Sequence, residues 1–263
     1  MVTLAYILSD MEGLRLALSK EKKSSAPMPQ RRPVYVWQFP VRMFHWINAA
    51  AVTVLFLTGL YIGNPVFITA GEAFQQFLMG SVRYWHGIAA FIFTANLLFR
   101  LYWFWAGNAY AKIRFWQKAF WQDLKSTVRY YLFMRGEHQG HLGHNALAQL
   151  SYLLFIWIGS FFMIITGFAM RIGTNPDGIS GKLFSWVIPA FHNENLVRMS
   201  HHLVAWGYVV FLLIHLYLVF RQDLLDDDAT TSSMINGYKY ELPSTIGAEE
   251  VHTPEYVVLQ KGD

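Results

Sequence analysis

The chain has 263 residues, 54% of them hydrophobic and only 14% charged, and its mean hydropathy is +0.26, a balance that excludes an ordinary small soluble domain. Its formal charge of +4 and pI near 9.2 would suggest a nucleic-acid ligand in a soluble protein, but the basic residues here follow the loops of a membrane topology, so no nucleic acid is expected. The absence of cysteine excludes disulfides, cysteine-ligated iron–sulfur clusters and c-type haem attached through CxxCH.

In chain order, Leu4, Ile7, Leu8, Met11, Leu14 and Leu18 recur at helical spacing and suit an interfacial amphipathic helix. Positive charge follows that short apolar run instead of preceding it, which argues against a signal peptide. Ser24 to Pro33 reads as a linker, with Pro27, Pro29 and Pro33 interrupting any helix. Four apolar stretches then run roughly from His45 to Ile62, Trp85 to Trp105, Leu147 to Met170 and His201 to Phe220. Each is about twenty residues, the length that crosses a hydrocarbon core of about 30 Å, and each must be helical because lipid offers no partner for backbone N–H and C=O groups. After Phe220 the chain turns polar, with Asp226, Asp227 and Asp228 in a run, and predicts a solvated tail. The expected fold is an all-α membrane protein, a four-transmembrane-helix bundle over 34–225, with a cytoplasmic amino-terminal extension and linker over 1–33 and a cytoplasmic tail over 226–263. No internal sequence repeat is evident.

Charge placement orients the bundle. Arg15, Lys20, Lys22, Lys23, Arg31, Arg32 and Arg42 precede the first span, and Lys112, Arg114, Lys118, Lys125, Arg129 and Arg135 lie between the second and third. Arg83, Arg171, Lys182 and Arg198 are spread thinly over the other two loops. The positive-inside rule puts both termini and the central loop in the cytoplasm.

Four histidines, His45, His86, His201 and His215, each sit near the end of a span. His201 and His215 share one span fourteen residues apart, which brings them within roughly 40° of one face and roughly 21 Å apart along the axis. One helix thus offers a ligand near each membrane surface, with His45 facing His215 and His86 facing His201. Two imidazole pairs at opposite depths suit two stacked b-type haems with bis-histidine ligation, an arrangement that carries electrons across a membrane. His202 competes for the outer position but falls about 220° from His215, nearly opposite. A single interfacial histidine is more often a polar anchor, and His138, His141, His192 and His252 are most simply solvated.

Arg42, Arg83 and Arg198 each precede a histidine by three residues, one turn nearer the membrane surface, where a guanidinium would meet a haem propionate. The plain alternative is an arginine snorkelling from a helix end. Gly59, fourteen residues after His45, falls at the depth of the outer haem and is equally explained by helix packing, while Arg100, fourteen after His86, would reach an inner propionate or anchor its helix. The third span opens with His144, Asn145 and Gln149 at the depth of the inner pair. His144 has an ordinary pKa suited to proton transfer, and Asn145 is either a hydrogen-bond partner for a substrate or a helix N-cap.

The segments PVYVWQFPVRMFHWINA (Pro33 to Ala49), RYWHG (Arg83 to Gly87), GHNALAQLSY (Gly143 to Tyr152), the histidines from His201 to His215, and NGYKY (Asn236 to Tyr240) together resemble the b-type cytochrome subunit of membrane-bound nickel–iron hydrogenases. The resemblance covers roughly Pro33 to Glu241 and is specific as an ensemble. It implies an outward-facing hydrogenase, of small and large subunits, whose iron–sulfur clusters feed the outer haem. It further implies menaquinone or ubiquinone reduction near the cytoplasmic face, in a region including His144, so that this chain carries the quinone site and not the hydrogen-splitting one. The related alternative is the cytochrome b subunit of a formate dehydrogenase. A different class is a haem-free membrane anchor or proton-coupled transporter, which the lack of intramembrane acidic residues disfavours.

Overall fold

A computed structural model of the chain describes residues 32–67, 77–112, 115, 117–132, 134, 143–174, 176–226 and 229–241. The amphipathic amino-terminal segment, His138, His141, His252 and the last residues lie outside this set. By contacts the chain divides into one unit over Val34–Lys239 and another made of Met1–Pro33 and Tyr240–Asp263, of which only four residues are described.

Four helices are long and apolar enough to cross a membrane: α1 (Phe39–Gly63), α2 (Leu78–Ala106), α4 (Ala146–Met170) and α7 (Glu194–Asp226). Between α2 and α4 lies α3 (Lys118–Tyr131), an amphipathic helix. The loop after α4 folds into two short helices, α5 (Ile179–Phe184) and α6 (Val187–Ala190). Strand β1 (Arg32–Tyr35) pairs with β2 (Tyr238–Glu241), which follows helix α8 (Thr230–Asn236).

The expected spans are all present, but three of the helices begin before the apolar stretch does. Their starts lie in the amphipathic interface, where polar residues remain helical. His45, His86 and His201 therefore stand about two turns inside α1, α2 and α7 instead of at their starts. Many large apolar side chains on these helices are exposed, with Leu57 at 61% and Leu203 at 72%, as surfaces turned to lipid require. Intrahelical polar groups are satisfied locally, since the hydroxyls of Thr53, Thr94 and Ser151 each donate to a carbonyl four residues back.

The helices pair as α1 with α2 and α4 with α7. Antiparallel register in the first pair is fixed by Asn96, whose buried amide donates to the Phe44 carbonyl at 3.0 Å. In the second pair, Phe155 packs on Tyr208 and stacks on Phe211 with ring centroids 4.5 Å apart. Here α4 widens into a π-helix over Tyr152–Gly159. The Phe155 carbonyl accepts the Tyr208 hydroxyl at 2.6 Å, and the Ser160 hydroxyl lies 3.0 Å from that of Tyr208. In contrast, α1 and α7 hardly approach each other through their backbones.

Each end of the bundle carries a small apolar cluster. One joins Val36, Trp37 and Val41 to Trp103 and Met234; the other joins Ala169, Val187 and Val197 to residues of α5 and α6 such as Phe184 and Ile188. The first cluster corrects an expectation. Residues 229–241 are not a solvated tail: α8 and β2 return to the start of α1, with Ser233 and Lys239 buried. The main chain of this segment makes the contacts: the Ile235 carbonyl accepts from Arg42 Nη1 and the Met234 carbonyl accepts from Trp46 Nε1 at 3.0 Å. Gly237, at φ +92°, turns the chain so that its carbonyl meets the N–H groups of Val36 and Trp37; a Cβ there would stand 2.5 Å from the Tyr35 ring.

Candidate functional site

Two histidine pairs come together at opposite ends of the bundle. At one end stand His86 of α2 and, on α7, His201 with His202 beside it in sequence. His86 Nδ1 lies 2.8 Å from the Thr58 hydroxyl of α1, and His201 Nδ1 lies 2.8 Å from the Thr166 hydroxyl of α4. Each threonine is followed by a glycine under the same ring. A Cβ on Gly59 would come to 3.5 Å from His86 Cε1, and one on Gly167 to 3.4 Å from His201 Cε1. Gly59 thus lies at the depth its spacing predicts, and it borders the imidazole of the neighbouring helix.

At the other end, the rings of His45 on α1 and His215 on α7 have centroids 6.4 Å apart. An iron with an imidazole nitrogen roughly 2 Å away on each side would hold two ring centroids about 6 Å apart. The separation of α1 from α7, with their imidazoles converging across it, is thus the arrangement a bis-histidine haem requires. His215 is held by stacking on Phe211 at 5.6 Å, and His45 packs edge-on to Trp46 at 5.0 Å. His45 Nδ1 is buried without a hydrogen-bond partner.

Beside this second pair lies a polar group of side chains. His144, just before α4, packs against Trp37 at 4.6 Å and Tyr152 at 5.9 Å. Arg100 Nε donates to the Tyr152 hydroxyl at 2.5 Å, and its guanidinium lies over the Phe44 and Tyr152 rings. Arg100 and Lys239 are both buried, at 2% and 3% exposure. His144 is exposed, with the rings of Trp37 and Tyr152 against it. Desolvation there, reinforced by the positive charges of Lys239 and Arg100, pushes its imidazole down to about 3. His144 is therefore a neutral hydrogen-bonding group at physiological pH, not a standing acid.

Other predicted residues have specific placements. Asn145 is the N-cap of α4, its Oδ1 accepting from Ala148 N–H at 2.8 Å, and Asp123 of α3 accepts from Ala146 N–H at 2.8 Å beside it. Gln149 donates to the His144 carbonyl at 3.0 Å. Arg42 is tied to α8, Arg198 forms an exposed ion pair with Glu194 at 2.8 Å, and Arg83 is exposed. His202 lies against the end of α1, where a Cβ on Gly63 would come within 2.6 Å of its ring. His192 is exposed, as expected of a loop histidine.

Four residues near the sites escaped sequence reasoning. Thr58 and Thr166 were detectable only as a Thr-Gly pair recurring in the first and third spans. Lys239 sits within the NGYKY segment but carried no assigned role. Arg171 follows α4, places its guanidinium over Phe91 at 5.3 Å, and brings Nη1 to 3.2 Å from where a Cβ of Gly87 would stand.

Sequence comparison gives this geometry relatives. The family model described as prokaryotic cytochrome b561 matches residues 36–237. A probable Ni/Fe-hydrogenase B-type cytochrome subunit of Cupriavidus necator is 38% identical over 213 residues, covering 79% of this chain and 87% of the relative. One of Rhodobacter capsulatus is 34% identical over 234 residues, covering 87% and 89%. A probable Ni/Fe-hydrogenase 1 B-type cytochrome subunit of Escherichia coli is 36% identical over 213 residues, covering 78% and 90%.

Proposed function

Because this chain belongs to the prokaryotic cytochrome b561 family, we propose that it is the membrane electron-transfer subunit of a nickel–iron hydrogenase, joining an outward-facing enzyme to a membrane quinone. The observation that carries this reading is the convergence of His45 and His215 across the gap between α1 and α7, at the 6.4 Å spacing that suits an iron between them. The relatives' names supply the hydrogenase, and its small and large subunits would be the partners in this reading.

In this reading His45 and His215 hold the inner haem b and His86 and His201 the outer one. Bound haem would supply reversible one-electron chemistry between these two depths. Arg42, Arg83 and Arg198 lie toward the membrane surfaces and would meet propionates, Arg198 by exchanging its exposed partner Glu194. The bacterial inner membrane holds the bundle, with both ends of the chain in the cytoplasm, as the basic loops require. The dihaem domain extends from 34 to 239, since residues 229–239 fold back onto α1, with cytoplasmic segments on either side of it.

Menaquinone or ubiquinone would enter beside the inner pair. His144 offers a neutral ring nitrogen to a quinone carbonyl, and Asn145, whose Oδ1 caps α4, would offer its amide nitrogen. The chain thereby carries the quinone-reduction site, while hydrogen is split in the partner.

The test is haem content and a reduced-minus-oxidised spectrum of detergent-purified protein, followed by addition of H₂ to membranes containing the native partner. Two low-spin b haems that reduce under H₂ are expected. Absence of haem would overturn the reading in favour of an anchor or transporter. Haem that ignores H₂ would point to another donor, such as a formate dehydrogenase.

A further inference from the structure

The hydroxyls of Thr58 and Thr166 have their hydrogens committed. Thr58 Oγ1 lies 2.6 Å from the Val54 carbonyl and Thr166 Oγ1 lies 2.7 Å from the Phe162 carbonyl, and a carbonyl can only accept. Each threonine oxygen is left as an acceptor, and in both cases the atom 2.8 Å away is a histidine Nδ1. With both oxygens accepting, the proton sits on Nδ1 of His86 and of His201 and the lone pair on Nε2. That is the tautomer an Nε2 ligand needs. The Leu55 backbone is a second hydrogen-bond partner of the His86 ring. The device occurs twice on different helices, with Gly59 and Gly167 beside the same two rings.

The other pair lacks it. His45 Nδ1 is buried without a partner, and no hydrogen bond to the His215 ring occurs among the described residues. A hydrogen bond accepted from Nδ1–H makes the imidazole a stronger electron donor through its other nitrogen, which favours ferric over ferrous iron.

We propose that Thr58 and Thr166 are positioning residues that lock the His86 and His201 imidazoles as Nε2 ligands and lower the reduction potential of the outer haem relative to the inner one. This rests on the bis-histidine reading above. It makes inward electron flow the downhill direction by a property of two hydroxyls, without any difference in ligand type between the sites.

The experiment is a potentiometric titration, with low-spin ferric EPR, of the full chain purified in its complex, comparing wild type with Thr58→Val, Thr166→Val, the double variant, and Thr58→Ser with Thr166→Ser. The double valine variant is expected to shift the reduction equilibrium of one haem by about tenfold toward the ferrous form, about 59 mV for one electron, and to move that haem's EPR signal. The serine variants should return both to wild type. The haem that shifts must be the one lost in His86→Ala. Unchanged potentials and spectra in the valine variants, or a shift confined to the other haem, would overturn the proposal. If valine causes haem loss, recovery of both haem and potential by serine supports it, and serine behaving as valine overturns it. A wild-type protein without haem, or His86→Ala and His201→Ala that retain both haems, would instead sink the ligand reading on which the proposal stands.

Discussion

At the His86–His201 end each Nδ1 is met by a threonine hydroxyl, whereas at the His45–His215 end His45 Nδ1 is buried unpartnered and the polar groups stand to one side, around His144, Arg100, Tyr152 and Lys239. One end spends its polar atoms on holding the imidazoles themselves. The other leaves the imidazoles to ring packing and gathers the buried cations Arg100 and Lys239 next to them. Such a division suits a protein in which one end only passes electrons and the other must also deal with a substrate that takes up protons.

The largest effects should come from the ligands. His86→Ala and His201→Ala are expected to remove one and the same haem, and His45→Ala and His215→Ala the other, each halving haem per chain in a pyridine haemochrome assay. Crossed losses would break the division. Next comes Gly237→Ala, where φ is +92° and a Cβ would stand 2.8 Å from the Trp37 carbonyl. We expect a cost of about 1–3 kcal/mol in thermal unfolding, whereas Gly59→Ala, whose Cβ makes only an ordinary contact, should cost less. Tyr152→Phe removes the hydroxyl that accepts from buried Arg100, with an expected cost of about 1–3 kcal/mol. It should slow H₂-to-quinone turnover and leave the outer haem's spectrum unchanged; equal damage to both ends would remove the distinction.

A smaller effect concerns pH. The folded value of about 3 for His144 lies below the ordinary 6.5, so between them the unfolded chain binds a proton that the folded chain refuses. Stability is therefore fully present above about 6.5 and declines as pH falls toward 3. His144→Gln should flatten that decline in a denaturation series. Smallest of all is Arg198→Gln: its pair with Glu194 is exposed and i,i+4, so stability should change by about 0.5 kcal/mol or less.

The helices were legible because span length is a rule local to one helix, as is the near-return of the helical phase after fourteen residues that sets His201 and His215 toward one face. What lay hidden depends on contacts between elements. The threonines point at rings on neighbouring helices, and no periodicity within α1 or α4 reports that register. The three Arg-x-x-His spacings were visible, yet the partners of Arg42 and Arg198, the Ile235 carbonyl and Glu194, differ in kind. The segment 229–241 reads as polar and solvated, but burial of Ser233 and Lys239 depends on α8 and β2 returning to α1, which composition does not encode. Asn145 stood between two roles in the sequence, and its hydrogen bond to Ala148 N–H makes it a cap.

The wide turn over Tyr152–Gly159 bears on how this protein tolerates change. A π-helix closes its hydrogen bonds five residues apart and so winds less per residue than an α-helix. The bearing of Thr166 and Gly167 toward His201 is inherited from that slack below them. Tightened into a regular α-helix at unchanged length, these eight residues would wind further and swing both residues away from the imidazole, whereas loss of one residue within 152–159 would offset most of that extra winding and leave their bearing nearly as it is. For α4 the wide turn is therefore the place where deletion of one residue disturbs the downstream register least.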